Sequence, residues 1–313
     1  MGSILIGAML PSLASRARES ANRIKCASNL RQIGLAFKLY ANEDGEIYSF
    51  PRTTYEKGKP PVVYTGADSA SPFSGATRPE ANDVTAVVFL LLRTQDITTD
   101  VLICASSNAD RFRMASGKSV QDYSNFHDQN ELSYSFHNPY FDAAAIEAGA
   151  RWNDNLEADF AMAGDMNSGT PALLTTQPDA GGQKIRELNS PNHDYDGQNV
   201  LYADGHVDWT TTPFVGSQQD NIYTYGPSPS SAYPGVTSTV GFYGSPINAR
   251  DTVLLPTWDA STPLPAVSPM PTGPWVVVVA AVVLGTLMVL AGLVFLIVYL
   301  RRNRRSNPPP MPQ

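Results

Sequence analysis

The sequence predicts an α+β fold in which a long N-terminal helix packs on an antiparallel β-sheet, followed by a Pro-rich stalk and a C-terminal transmembrane helix. Three observations carry this. Helix-periodic apolar residues dominate the first 45 positions, short β-branched and aromatic runs separated by turn residues follow, and a 26-residue uncharged apolar run lies near the C-terminus. The expected organisation is a helix over 1–45, an α+β domain over 46–226, a Pro/Ser/Gly-rich stalk over 227–274, a membrane span over 275–300 and a basic tail over 301–313.

In the first segment, Leu13, Ala17, Ala21, Ile24, Leu30, Ile33, Phe37 and Tyr40 fall mostly three or four apart, which places them on one helical face. Arg16, Arg18, Arg23, Lys25 and Arg31 lie largely elsewhere and read as a solvated face. Asn42-Glu43-Asp44-Gly45 supplies the stop. Residues 51–80, rich in Pro, Gly, Ser and Thr, read as a surface loop. Asn82 or Asp83 is placed to cap a second helix running to Arg93, and Val101-Leu102-Ile103-Cys104 reads as a strand. Further strands are expected at 132–136, 160–163, 200–203 and 206–209. The last two flank Asp204-Gly205, a dipeptide suited to a type I′ hairpin turn with positive φ at both central residues. Ten of the chain's 25 prolines fall in 227–274, which argues for an extended stalk. Its apolar patch DTVLLPTW, 251–258, is expected to dock back on the domain as a strand.

Trp275 to Leu300 carries no charge. At the helical rise it spans roughly 39 Å, against a hydrocarbon core of about 30 Å. Aromatic residues close both ends, and Arg301, Arg302, Arg304 and Arg305 follow, so the positive-inside rule puts the C-terminus in the cytoplasm and the main domain outside. The net charge is −7 overall and about −11 without the basic tail, which argues against nucleic acid as a partner. The chain holds only two cysteines, Cys26 and Cys104. On a helix and an adjacent strand in an external compartment, they are candidates for a disulfide; two buried free thiols are the other reading.

Residues 189–209, NSPNHDYDGQNVLYADGHVDW, concentrate His, Asp and Gly. An EF-hand reading from Asp194 fails, because Gln198 stands at position 5 and Gly205 where a bidentate Glu belongs. His193, Asp194 and Asp196 remain a candidate metal set, with calcium as the candidate ion, but a hairpin turn accounts for more of the stretch. Asp165 and Asn167 in AGDMNSG are a second, weaker cation candidate, which reads better as a turn. No GxSxG, GxGxxG, Walker A or HExxH occurs, and His127, His137, His193 and His206 all fall in loops or strand ends, so a non-catalytic protein is expected.

The stretch around His193, Asp204 and Gly205 also resembles the signature of bacterial prepilin-like proteins that carry an H-x(9)-DG processing-associated domain, here with ten residues between His193 and Asp204. LPSLASRARESANRIKCASNLRQIG (10–34), NDVTAVVFLLLRTQDITTDVLICASS (82–107), ELSYSFHNPY (131–140) and AGDMNSGTP (163–171) are similar to other segments of that family. The resemblance implies a pseudopilin plan with a type II secretion-like N-terminal helix, preceded by a basic leader and an apolar run; Met1 to Gly7 is expected to begin inside that run. It also implies a structural role beside other pilin-like or envelope proteins at the lipid bilayer. A surface module that binds a glycan, a peptide or a calcium ion is the alternative.

Overall fold

The computed structural model of the protein describes residues 2–43, 49–226 and 241–258, with side chains from residue 16 onward. The fold is α+β. Helix α1 spans Gly2–Glu43 and helix α2 spans Val84–Thr94. Five strands, β1 (Tyr134–His137), β2 (Ala161–Asp165), β3 (Gln198–Tyr202), β4 (Val207–Thr210) and β5 (Leu254–Leu255), form one antiparallel sheet in the order β4-β3-β2-β1-β5.

Helical spacing sets how α1 packs. Cys26, Leu30, Ile33, Phe37 and Ala41 recur every three or four residues and are all buried, in one core with Phe89 and Leu91 of α2 and Tyr134, Phe136, Leu201 and Val207 of the sheet. Phe37 meets Phe50 and Trp152 edge to face, with centroids 5.7 and 5.6 Å away, a geometry that matches ring edges to π-faces. Ala17, Ala21 and Ile24, expected on this face, are exposed. The α2 helix starts where Asp83 accepts a hydrogen bond from the Ala86 N–H (2.9 Å), and it is buried from Val84 to Leu92, a core helix apolar on all sides.

Strand alternation gives the sheet two covered faces. In β3, Leu201 faces α1, whereas Val200 and Tyr202 face a second cluster of Leu173, Leu188, Phe214, Ile222, Tyr223 and Phe242. The β2–β3 register shifts between Ala161 and Ala163, so Met162 and Ala163 both belong to the α1-side core while Ala161 belongs to the other.

Three expectations need correction. Val101–Cys104 is not a strand: Thr99–Leu102 is a 3₁₀ turn, closed as the Ile103 N–H bonds back to the Asp100 carbonyl at 3.3 Å. The β3–β4 hairpin exists, but its turn is not type I′. The Gly205 N–H bonds to the Tyr202 carbonyl (2.9 Å) and the Tyr202 N–H to the His206 carbonyl (3.0 Å), which makes a three-residue loop, Ala203 to Gly205. Only Gly205 has positive φ, +94°, as in a type I turn closed by a glycine bulge. Finally, part of the expected stalk is folded. Leu254 and Leu255 pair with His137 and Phe136, as expected of the 251–258 patch, but 241–250 belongs to the fold as well, with Phe242 buried in the outer cluster. Trp275–Leu300 lies outside the described residues, among which no helix is long and apolar enough to cross a membrane.

Candidate functional site

Four chain segments converge beneath α1. Cys26 comes from α1, Cys104 from the end of the 3₁₀ turn after α2, Asp165 from the last position of β2, and His193 from the turn Pro191–His193 that precedes β3. All four are buried, and one ligand-capable atom from each lies within 4.8 Å of the others. The sulfurs belong to free thiols.

Local sequence explains how His193 comes to point inward. Ser190 accepts from the Asn192 N–H (3.3 Å), Pro191 supplies a preset φ at the first position, and the chain reverses through left-handed Asp194 (φ +53°) and Tyr195 (φ +61°). Asn189 holds this reversal by donating to the carbonyls of Tyr195 (3.2 Å) and Thr211 (3.0 Å). A Cβ on Gly197 would lie 2.3 Å from the Thr210 carbonyl oxygen and 2.7 Å from the Trp209 ring, so only glycine lets the segment re-enter the sheet there. Trp209 in turn packs edge-on against His193, with centroids 5.2 Å apart, and carries the Arg23 guanidinium over its face at 4.0 Å.

The imidazole is bracketed by carboxylates. Its Nδ1 lies 2.6 Å from Glu19 Oε1 and its Nε2 3.2 Å from Asp165 Oδ2 and 3.5 Å from Cys104 Sγ. Asp165 Oδ2 also accepts from the Asn199 N–H (2.6 Å) and Nδ2 (2.9 Å), and Oδ1 accepts from Asn192 Nδ2 (3.3 Å). Cys26 Sγ accepts from the Ala105 N–H at 3.3 Å, and Ser106 donates to Glu19 Oε2 at 2.6 Å.

These contacts set the protonation of the group. Burial opposes a charged His193, but Asp165, Cys26 and Glu19 outweigh it and raise the imidazole to about 10. The Cys26 thiol is drawn down to about 6, first by the hydrogen bond with Cys104 and against burial, with His193 assisting. Burial pushes Cys104 the other way, and the hydrogen bond with Cys26 adds to the rise. For Glu19, burial raises the carboxyl, yet hydrogen bonds from Ser106 and His193 leave it below its ordinary value.

Of the sequence candidates, His193, Cys26, Cys104 and Asp165 come together, the last of which reads in the sequence as a turn residue. Asp194 and Asp196 do not join them, because the left-handed turn sends His193 inward and leaves both aspartates exposed. Asp196 is held by Arg23 (3.0 Å) and Arg186 (2.9 Å) instead. Asp204 and Gly205 serve the hairpin, where Asp204 Oδ1 accepts from the His206 N–H at 3.0 Å. Asn167 is a clamp, donating to the carbonyls of Tyr223 (2.9 Å) and Leu254 (3.0 Å). His137 is buried at the end of β1, and burial lowers its imidazole to about 3. No motif marks Glu19 in the sequence; its helical position, seven residues before Cys26, is the one signal that places it on the same face.

Chemically, two thiols, a carboxylate and an imidazole enclosed in a core suit tight binding or cross-bracing of elements. No protein-family model, no curated protein and no solved structure matches the chain.

Proposed function

We propose that the chain is a membrane-anchored, externally exposed, pseudopilin-like structural subunit of a cell-surface or secretion-related assembly, acting through packing and not through catalysis. The observation that carries this reading is the two-sidedness of α1. One face closes the core through Cys26, Leu30, Ile33 and Phe37, while Ile24, Leu35 and Leu39 are 69%, 60% and 47% exposed. At 100° per residue these three lie opposite the buried row, so the helix presents apolar side chains, Leu35 and Leu39 one turn apart, to a neighbouring molecule. The uncharged run Trp275–Leu300, followed by arginines, supports the anchor and its orientation, with the folded part outside and the C-terminus in the cytoplasm.

The test places a photo-crosslinking residue at Leu35 of the full chain in its native envelope. A second variant carries it at Ile146, 57% exposed on the short helix α3 (Ala143–Glu147). Adducts with another copy or with a pilin-like envelope protein are expected from Leu35 and not from Ile146. Equal or absent crosslinking at the two positions would overturn the reading.

A further inference from the structure

We propose that Cys26, Cys104, Asp165 and His193 form a tetrahedral site for a thiophilic divalent cation of the zinc class, which staples α1 to the sheet. The donor set comes first. Thiolate, imidazole and carboxylate are the zinc ligands of proteins, and calcium, which takes six to eight oxygens, has no such set here.

The spacing agrees. Bonds of about 2.3 Å to sulfur, 2.0–2.1 Å to nitrogen and 2.0–2.2 Å to oxygen set tetrahedral edges of about 3.6 Å for S···N and about 3.3 Å for N···O. The corresponding separations are 3.5 Å from Cys104 Sγ to His193 Nε2 and 3.2 Å from His193 Nε2 to Asp165 Oδ2. A cation would occupy the place of the Nε2 proton.

An outer shell is already built. Glu19 holds Nδ1 of His193 at 2.6 Å, the carboxylate–histidine arrangement that fixes a ligand's tautomer with Nε2 free for the metal. Asn192 and Asn199 orient the Asp165 carboxylate, and the Ala105 N–H points at Cys26 Sγ. Two thiolates and one carboxylate around a dication leave one excess negative charge, Glu19 adds a second, and Arg23, bonded to Glu19 at 3.2 Å, offsets one of them. An open cleft of about 520 Å³, lined by Arg16, Glu19, Ser20, Arg23, Asp194 and Asp196, gives a path from solvent to Glu19. The ligands come from segments 26, 104, 165 and 193, so one ion cross-links α1, the 3₁₀ turn, β2 and the loop before β3.

The test uses the full chain, reduced, freed of metal with chelator, and titrated with Co²⁺ as a spectroscopic probe. One equivalent should give sulfur-to-cobalt charge transfer with the intense visible bands of a tetrahedral site, and Zn²⁺ should displace it. Cys104→Ser and Asp165→Asn should lose or reshape the spectrum. Because either can disturb folding, Glu19→Gln is the second arm: it should keep the band shape and weaken affinity about 10- to 100-fold. An Asp194→Asn, Asp196→Asn double variant should bind as wild type does. Absence of charge transfer in the reduced, folded wild type would overturn the proposal. So would a Cys26–Cys104 disulfide in protein taken from native envelopes, or loss of binding in the Asp194, Asp196 variant.

Discussion

His193 carries a carboxylate on each ring nitrogen, so its removal strands the fully buried Asp165 without its cation. His193→Ala should cost about 3–5 kcal/mol, as breaking a buried pair does, whereas exposed Asp194→Asn, which keeps a side chain suited to its left-handed backbone, should stay within about 0.5 kcal/mol; urea unfolding of the two variants checks the contrast. Gly205 is a second sensitive position. Its φ of +94° is strained for any side chain although the space beside it is open, so Gly205→Val should destabilise by about 1–3 kcal/mol from backbone strain alone. Asp220 and Asp251 make a buried acidic pair, in which Asp251 accepts from the N–H groups of Gly226 (3.0 Å) and Ile247 (2.7 Å). Burial lifts both carboxyls, with Asp251 adding to the rise at Asp220; Asp251 itself reaches about 7. The folded state therefore holds protons that the unfolded chain, with a carboxyl near 3.9, gives up; the resulting stability is full below about pH 4 and is lost as pH rises through about 7. His137, held neutral by burial, slopes the opposite way on acidification and cancels in a wild-type-to-variant difference. Asp251→Asn should thus be the more stable protein at about pH 8, by up to about 4 kcal/mol, and lose that advantage at about pH 4. A melting series across this range that kept the difference constant would contradict the assignment.

The helices and the hairpin show what the sequence makes legible and what it does not. The Asp83 cap of α2 follows from side-chain chemistry within a few residues, and the structure has it. Asp204-Gly205 likewise marks a hairpin, but its turn type depends on whether Ala203 pairs across the ladder, which the dipeptide does not encode. Val101-Leu102-Ile103 has β-branched residues yet makes a 3₁₀ turn, because tertiary packing overrides propensity in so short a run. The cluster at His193 is beyond reach of spacing rules: its members are separated by 78, 61 and 28 positions along the chain, and only the packing of α1 and the segment after the 3₁₀ turn against the sheet brings them together. Within α1, helical phase separates two roles. Phe37 is buried between Phe50 and Trp152, so Phe37→Ala should cost about 3–5 kcal/mol. Leu35→Ala, on the exposed stripe, should leave the melting temperature nearly unchanged while reducing recovery of envelope partners.

At the scale of the whole molecule, one α+β fold carries an N-terminal helix with a free apolar face, and a chain continuing from its C-terminal strand toward an apolar run. The folded part needs both sheet faces: α1 packs on one, and Leu173, Leu188, Phe214, Ile222, Tyr223 and Phe242 pack on the other. That closure leaves Ile24, Leu35 and Leu39 of α1 exposed on the side away from the sheet. In the proposed arrangement the Pro-rich residues 259–274 bridge this fold to the bilayer, and the arginines after Leu300 hold the tail inside. The arrangement is tested most directly by adding protease to intact spheroplasts that express the full chain with an epitope after Gln313. The account predicts that cleavage before Trp275 sheds the folded part into the medium, while the epitope stays membrane-bound and intact until the membrane is permeabilised. An epitope lost from intact spheroplasts together with a protected folded part would contradict it.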